Sequence, residues 1–350
     1  MSDTTHLKYP PRITKRVINH KYTSHTLDFL IKGTVLPFDC YIKRYSDYVI
    51  IIQAGTYITE ELLQKMHHNK EIYFLKEDSE KIRLYQTEYK TIDLSQENTV
   101  PANEPIKAAL DLPQTMFNLF GTLEERLCLL YGTTSNLMQM IFDKGDEKLP
   151  LDGLYTCVNQ LAACINPETN TLPMLLKIIP DKYTTHHHST NVAFFSVVLA
   201  NAIHLSQEEI IDVGFAGLLH DIGKIRIDSN ILLKPSKLKD TEYETVKNHS
   251  DYGHAILTDN GISNPKILNG VHFHHERLDG SGYPKGLRAK LVPKYAQIVG
   301  MCDAFDALTT KRTFRDNYTS FQALLAMKQE MAAQFDNTYI NTFIKLLRVD

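Results

Sequence analysis

The sequence has no paired-cysteine spacing. Its five cysteines, Cys40, Cys128, Cys157, Cys164 and Cys302, are scattered and odd in number. That pattern argues against a disulfide framework and a C-x-x-C zinc site, and predicts buried free thiols in a reducing compartment. No run reaches the ~18 apolar residues that span a bilayer. The best candidate, Val192 to Leu205, is broken by Ser196, Asn201 and His204. Met1 to Arg12 is polar and lacks the apolar core of a signal peptide, so a soluble, cytoplasmic chain with no membrane span is expected. Excess charge is absent too. Lys and Arg number 38 against 41 Asp and Glu, a net charge of -3, so no whole-molecule field draws the chain to nucleic acid or acidic lipid. There is no tandem repeat or low-complexity tract, and the N-terminal part has no Gly-rich phosphate loop or phosphorylatable aspartate pattern.

What is present is a globular composition, 43% hydrophobic and 23% charged over 350 residues, enough for about two domains. The first part reads as a small α/β module. Tyr48 to Gln53 is a short β-branched run that predicts a buried strand, with a turn at Ala54-Gly55. Glu71 to Lys76 and Pro37 to Arg44 read as further strands, and Glu60 to His67 as a helix with Leu62, Leu63 and Met66 on one side. Asp93 to Pro105 is polar and proline-containing, the best linker. Helical periodicity then dominates from Leu110 to Phe142 and onward. The organisation expected is residues 1–98 as a small α/β regulatory module, 99–180 as a helical linker or dimerisation segment, and 181–350 as an all-α helical bundle. The fold class is therefore mainly α.

Histidine is clustered: of 15 in the chain, ten lie between His186 and His275. One helix start is well marked, with Ser206 and Glu209 as a capping box and Leu205 and Ile210 placed as a hydrophobic staple. That helix runs through Ile211, Phe215 and Leu218 to His220-Asp221, and Gly223 reads as its stop. Two polar residues ending an apolar helix are costly unless something satisfies them. His188 begins another apolar helix, His249 falls within a helical stretch from Glu242 to Leu257, His274-His275 precede a Gly-rich loop, and Asp303 sits in the apolar helix Tyr295 to Leu308. Five histidines and two aspartates on apolar helices suit more than one transition-metal ion. Ions ~3.5–4 Å apart can hold a bridging hydroxide and clamp a phosphate, as phosphodiester hydrolysis requires. His204, His254 and His272 read as ordinary exposed or hydrogen-bonded histidines.

These residues carry a resemblance. His188-Ser189 with Asn191-Val192-Ala193, His220-Asp221-Ile222-Gly223-Lys224, Leu233-Lys234-Pro235, His249 with Gly253, the run His274-His275-Glu276-Arg277, Asp279-Gly280-Ser281-Gly282-Tyr283-Pro284, and Asp303, Phe305-Asp306-Ala307 with Arg312 and Arg315 resemble the HD-GYP family over about residues 181 to 340. The resemblance implies an HD-type helical bundle that hydrolyses cyclic di-GMP to pGpG, and to GMP if cut again. It implies metal ligands at His188, His220, Asp221, His249, His274, His275 and Asp303, with Asp221 bridging and catalytic. Two divalent ions, iron or manganese, are implied. For a third ion some members use a glutamate where this chain has Thr184, with His186 and His187 as the available substitutes. Lys224 would neutralise the scissile phosphate. Gly282, Tyr283 and Pro284 would border the substrate, Arg312 and Arg315 would offer forked donors, and Asp306 would orient a ligand or touch substrate. Glu276 and Asp279 are expected to hold the loop. Leu278 stands where an aromatic residue is usual, and Thr313-Phe314 replaces the usual Pro-Tyr. Implied partners are the cyclic dinucleotide, a second copy of the chain, and signalling proteins at the Gly-Tyr-Pro loop. The alternatives are a phosphodiesterase for 3',3'-cGAMP and a low-turnover cyclic di-GMP receptor signalling through the N-terminal module.

Overall fold

The structure is a computed structural model. It describes residues 21–31, 36–45, 47–52, 54, 56, 58, 60–69, 71–89, 122–145, 148–165, 171–180, 184–232, 234, 236–310 and 318–347. The predicted linker, the domain boundary at residue 98, and Leu233, Pro235, Arg312 and Arg315 fall outside them.

The N-terminal module is a four-stranded antiparallel sheet of β1 (Tyr22–His25), β2 (Cys40–Arg44), β3 (Asp47–Ile52) and β4 (Ile72–Leu75), in the order β1-β4-β2-β3. Two helices accompany it, α1 (Glu60–Met66) and α2 (Ser79–Tyr89). The three predicted strands and α1 are present; β1 and α2 were not among the predicted elements. The β3 strand differs from expectation in its surroundings. It lies at the edge of the sheet, and Ile50 is exposed while Ile52 is buried. A β-branched run favours a pleated, half-buried surface, but it does not say which position in the sheet the strand takes.

The rest of the described chain is helical: α3 (Leu123–Lys144), α4 (Leu151–Cys164), α5 (Thr171–Ile178), α6 (Thr185–Ala202), α7 (Gln207–Leu219), α8 (Ser229–Leu232), α9 (Asp240–Lys247), α10 (His249–Asp259), α11 (Pro265–His272), α12 (Lys294–Thr309), α13 (Ser320–Glu330) and α14 (Asn337–Leu346). The would-be membrane candidate is part of α6. This helix is buried on all sides from His188 to Asn201, as befits one that is apolar all round, and it packs against α3, α7 and α12. No helix among the described residues is long and apolar enough to cross a membrane. The Ser206–Glu209 capping box at the start of α7 is formed as predicted.

Aromatic contacts fix the helices that matter for the site. Phe195 of α6, Phe305 of α12 and Phe343 of α14 are fully buried, with ring centroids 5.2 to 6.2 Å apart. Each such side chain contributes ~1.5–3 kcal/mol by leaving water, so α12 is held firmly against α6. The cysteines are all free, but only Cys40, Cys157 and Cys302 are buried; Cys128 and Cys164 are half-buried. Burial pushes the Cys128 and Cys157 thiols up to about 11, which keeps them protonated and poorly nucleophilic.

Candidate metal centre

Helix ends deliver most of the predicted ligands to one place. His188 lies in the first turn of α6. His220 caps α7, and Asp221 follows it. His274 and His275 come just after α11. Asp303 projects from the middle of α12. His249 departs from expectation: the predicted single helix is broken at Asn248, and His249 begins α10. Gly223 also acts differently from a stop. A Cβ there would lie 1.9 Å from the His249 carbonyl oxygen, so glycine is required for the turn after Asp221 to pack against α10.

The seven side chains form two groups whose ligand atoms lie within 4.8 Å of one another. One contains His188, His220 and Asp303, the other Asp221, His249, His274 and His275. Asp221 faces both: its Oδ2 is 3.3 Å from His220 Nε2, and its Oδ1 is 3.4 Å from His249 Nε2. Asp303 spans them as well, with Oδ1 3.2 Å from His188 Nε2 and Oδ2 3.7 Å from His275 Nδ1.

Hydrogen bonding fixes which nitrogen of each ring points inward. His220 Nδ1 donates to the Gly217 carbonyl, His249 Nδ1 to Val246, and His274 Nδ1 to Val271, each at 2.7 Å. His188 Nδ1 donates to Asp306 Oδ2, also at 2.7 Å. A carbonyl only accepts, so the proton sits on Nδ1 and Nε2 presents a lone pair. Burial pushes His249 below its ordinary value and His274 far below it, which keeps both neutral. Yet His249 Nε2 and His274 Nε2 stand 3.3 Å apart, as do His188 Nε2 and His220 Nε2. Facing lone pairs repel unless a cation lies between them. Asp221 Oδ1 is likewise buried, and no hydrogen-bond donor among the described residues reaches it, a costly state for an anionic oxygen. Burial would raise the carboxyl pKa, but Lys224 and His220 hold Asp221 well below the usual carboxylate range. A set of imidazoles and ionised carboxylates, with ring N–H groups committed elsewhere, fits divalent transition-metal ions.

The remaining predicted residues surround this cavity. Lys224 places its ammonium 2.5 Å from Asp221 Oδ2. Tyr283 stacks on His275 at 4.6 Å, and burial raises its phenol pKa, so it remains a donor. Gly282 lies against the backbone of residues 275–277, where a Cβ would approach to 2.4 Å, and the Tyr283-Pro284 peptide is cis. Glu276 accepts from the Lys285 and Leu287 amides and Asp279 from Ser281, so both hold the loop as predicted. Asp306 is not at an open surface. It is 1% exposed; Oδ2 holds His188, and Oδ1 accepts from Asn191 and Thr310. Substrate contact is thereby corrected to the other role open to it, orienting His188. Thr184 caps α6 by accepting from the His187 amide, and neither His186 nor His187 belongs to a ligand group.

Three further residues, Asn191, Arg277 and Lys247, were not assigned a role from spacing or motif. Asn191 lies one turn after His188, which was a usable signal. Arg277 Nη1 donates to the His274 carbonyl, and Lys247 lies 5.5 Å over the Tyr283 ring; neither contact has a local signature. The pair His272 and Asp251 forms a separate hydrogen bond of 2.7 Å, in keeping with an ordinary histidine.

Residues 173–339 match the family model described as HD domain. The helical bundle over these residues is an HD domain, and the His and Asp side chains converging from five segments suit a metal site. Within that class the chain is similar to members of the HD-GYP family. It is 29% identical over 267 residues to the Pseudomonas aeruginosa protein named cyclic di-GMP phosphodiesterase PA4108, covering 74% of this chain and 64% of that one. It is 35% identical over 153 residues to 3'3'-cGAMP-specific phosphodiesterase 3 of Vibrio cholerae, covering 43% and 33%. The chain thus spans less than two thirds of these relatives' lengths. The solved structure of Bd1817, described as an HDG"Y"P protein from Bdellovibrio bacteriovorus, superposes with a TM-score of 0.58 at 18% identity, over 93% of this chain and 99% of that one, a likeness of fold.

Proposed function

We propose that this chain is a metal-dependent phosphodiesterase that opens cyclic di-GMP to linear pGpG. The observation that carries this reading is the buried Asp221 carboxylate, whose two oxygens face the two ligand groups. The Pseudomonas relative's name supports the substrate class. Two divalent ions, iron or manganese, would be held by His188, His220 and Asp303 on one side and His249, His274 and His275 on the other, with Asp221 between them. They would supply Lewis acidity toward a phosphate and an activated water at neutral pH.

The chain's own residues supply the rest. His220, His249 and His274 keep their protons on Nδ1 and their lone pairs inward. Lys224, beside Asp221 and part-exposed, carries positive charge to the scissile phosphate, where negative charge grows in the transition state. Tyr283, packed on His275, presents a protonated phenol to a base or ribose. Arg312 and Arg315, which follow α12 in sequence, are the forked donors for the second phosphate. Water adds at phosphorus, the P–O3' bond breaks, and the ribose 3' oxygen leaves with a proton.

The test is product analysis on metal-loaded protein. Wild type should convert cyclic di-GMP to pGpG, and Asp221→Ala should lower turnover by more than roughly a thousandfold. Full activity in the variant would overturn the mechanism. The mixed ring 3',3'-cGAMP is the second reading, favoured by the Vibrio relative's name. Parallel rates on the two rings decide between them, and tight binding without product would instead make the chain a receptor.

A further inference from the structure

A buried hydrogen-bond chain reaches the ligand cavity from outside the HD domain. It starts on α3, at Tyr131, which is 5% exposed and precedes the matched residues 173–339. The Tyr131 hydroxyl donates to Asn191 Oδ1 at 2.7 Å. Asn191 Nδ2 donates to Asp306 Oδ1 at 2.8 Å. Asp306 Oδ2 then accepts from His188 Nδ1 at 2.7 Å, and His188 Nε2 faces Asp303 and Asp221.

Every bond in this chain has a fixed direction. An amide can flip, exchanging its oxygen for its nitrogen. With the Tyr131 hydroxyl donating, only the oxygen of Asn191 can face α3, so only the nitrogen can face Asp306. Burial raises the Tyr131 pKa, so the hydroxyl keeps its proton. Without that donor, the buried Asn191 oxygen is left without its hydrogen bond, and the amide that orients Asp306 is less firmly held. The ring itself is held separately, edge-on to Phe194 at 5.5 Å, so the hydroxyl adds direction to a residue that packing already anchors.

We infer that Tyr131 is a positioning residue of the metal centre, which fixes His188 through Asn191 and Asp306 and so sets the affinity of the His188 group from outside the domain that carries the ligands. This inference rests on the metal-binding reading of the site. It also gives the N-terminal module a route to the centre, because Lys81 of α2 pairs with Glu125 in the first turn of α3 at 3.2 Å.

The experiment is Mn²⁺ titration of metal-free full-length wild type, Tyr131→Phe and His188→Ala, with thermal melts of each metal-free protein. His188→Ala identifies which binding step belongs to the His188 group. In Tyr131→Phe that step should weaken roughly threefold to tenfold, less than the loss of a direct partner of a ligand, while the other step holds. Two distinct results overturn the inference: both steps unchanged from wild type, or both weakened together with a fall in metal-free melting temperature, which would mark a general packing role. If wild type itself binds no Mn²⁺, the metal reading fails, and the inference fails with it.

Discussion

His188 and the trio of His220, His249 and His274 reach the same cavity by different means. Each of the three bonds its ring N–H to the carbonyl three residues before it, so its orientation is set within one turn of its own backbone. His188 is oriented instead by Asp306, a carboxylate 118 residues away. The locally anchored rings depend on their helices alone. The His188 side depends on α12 staying packed on α6, and on every link in between. One wall of the centre is therefore self-contained, and the other is open to influence from elsewhere in the fold.

The largest effect should come from cutting the long-range anchor. In Asp306→Asn an amide faces His188, and its N–H favours the wrong ring tautomer. Affinity of the His188 group should fall about tenfold to a hundredfold, as for other partners of metal-bound histidines, while the group around His249 and His274 keeps its own. Isothermal titration with Mn²⁺ reads both, and an equal fall in the two steps would erase the distinction.

Acid should act on the group of His249, His274 and His275. His249, His274 and His275 are pushed below the ordinary imidazole value of 6.5, chiefly by burial. The unfolded chain, with ordinary imidazoles, takes up protons that the folded metal-free chain refuses. Stability is thus fully present above about 6.5 and is lost as pH falls toward the folded values. Asp221 and Asp303, held well below 3.8, add a loss only in stronger acid. Thermal melts of metal-free protein between about pH 7.5 and 5.5 should move steadily downward; a flat or rising trend would contradict the neutral assignment.

The smallest effect belongs to Thr184, whose hydroxyl caps α6 at the His187 amide, one residue before His188. Thr184→Ala should cost about 1 kcal/mol of stability and leave metal content unchanged by elemental analysis. Loss of an ion would show that Thr184 does more than cap the helix.

How much of this was legible in the sequence follows the same division. His220-Asp221 stood out because polar groups at the end of an apolar helix need a partner, and the capping box at Ser206 placed that helix. Glu276 and Asp279 were legible as loop holders because their bonds stay within one loop, between 2 and 11 residues along the chain. Periodicity could not see the break at Asn248, since apolar spacing runs on through it. Nor could a β-branched run show that β3 lies at the sheet edge. Tyr131 was the least legible, because its partner lies 60 residues away and nothing in local spacing brings them together.

Elemental analysis of anaerobically purified protein tests the central claim most directly. Wild type should carry about two transition-metal ions per chain, and Asp221→Ala markedly fewer, since its carboxylate faces both groups. A wild-type chain that takes up no transition metal under those conditions, or an Asp221→Ala variant that keeps the full complement, would contradict it.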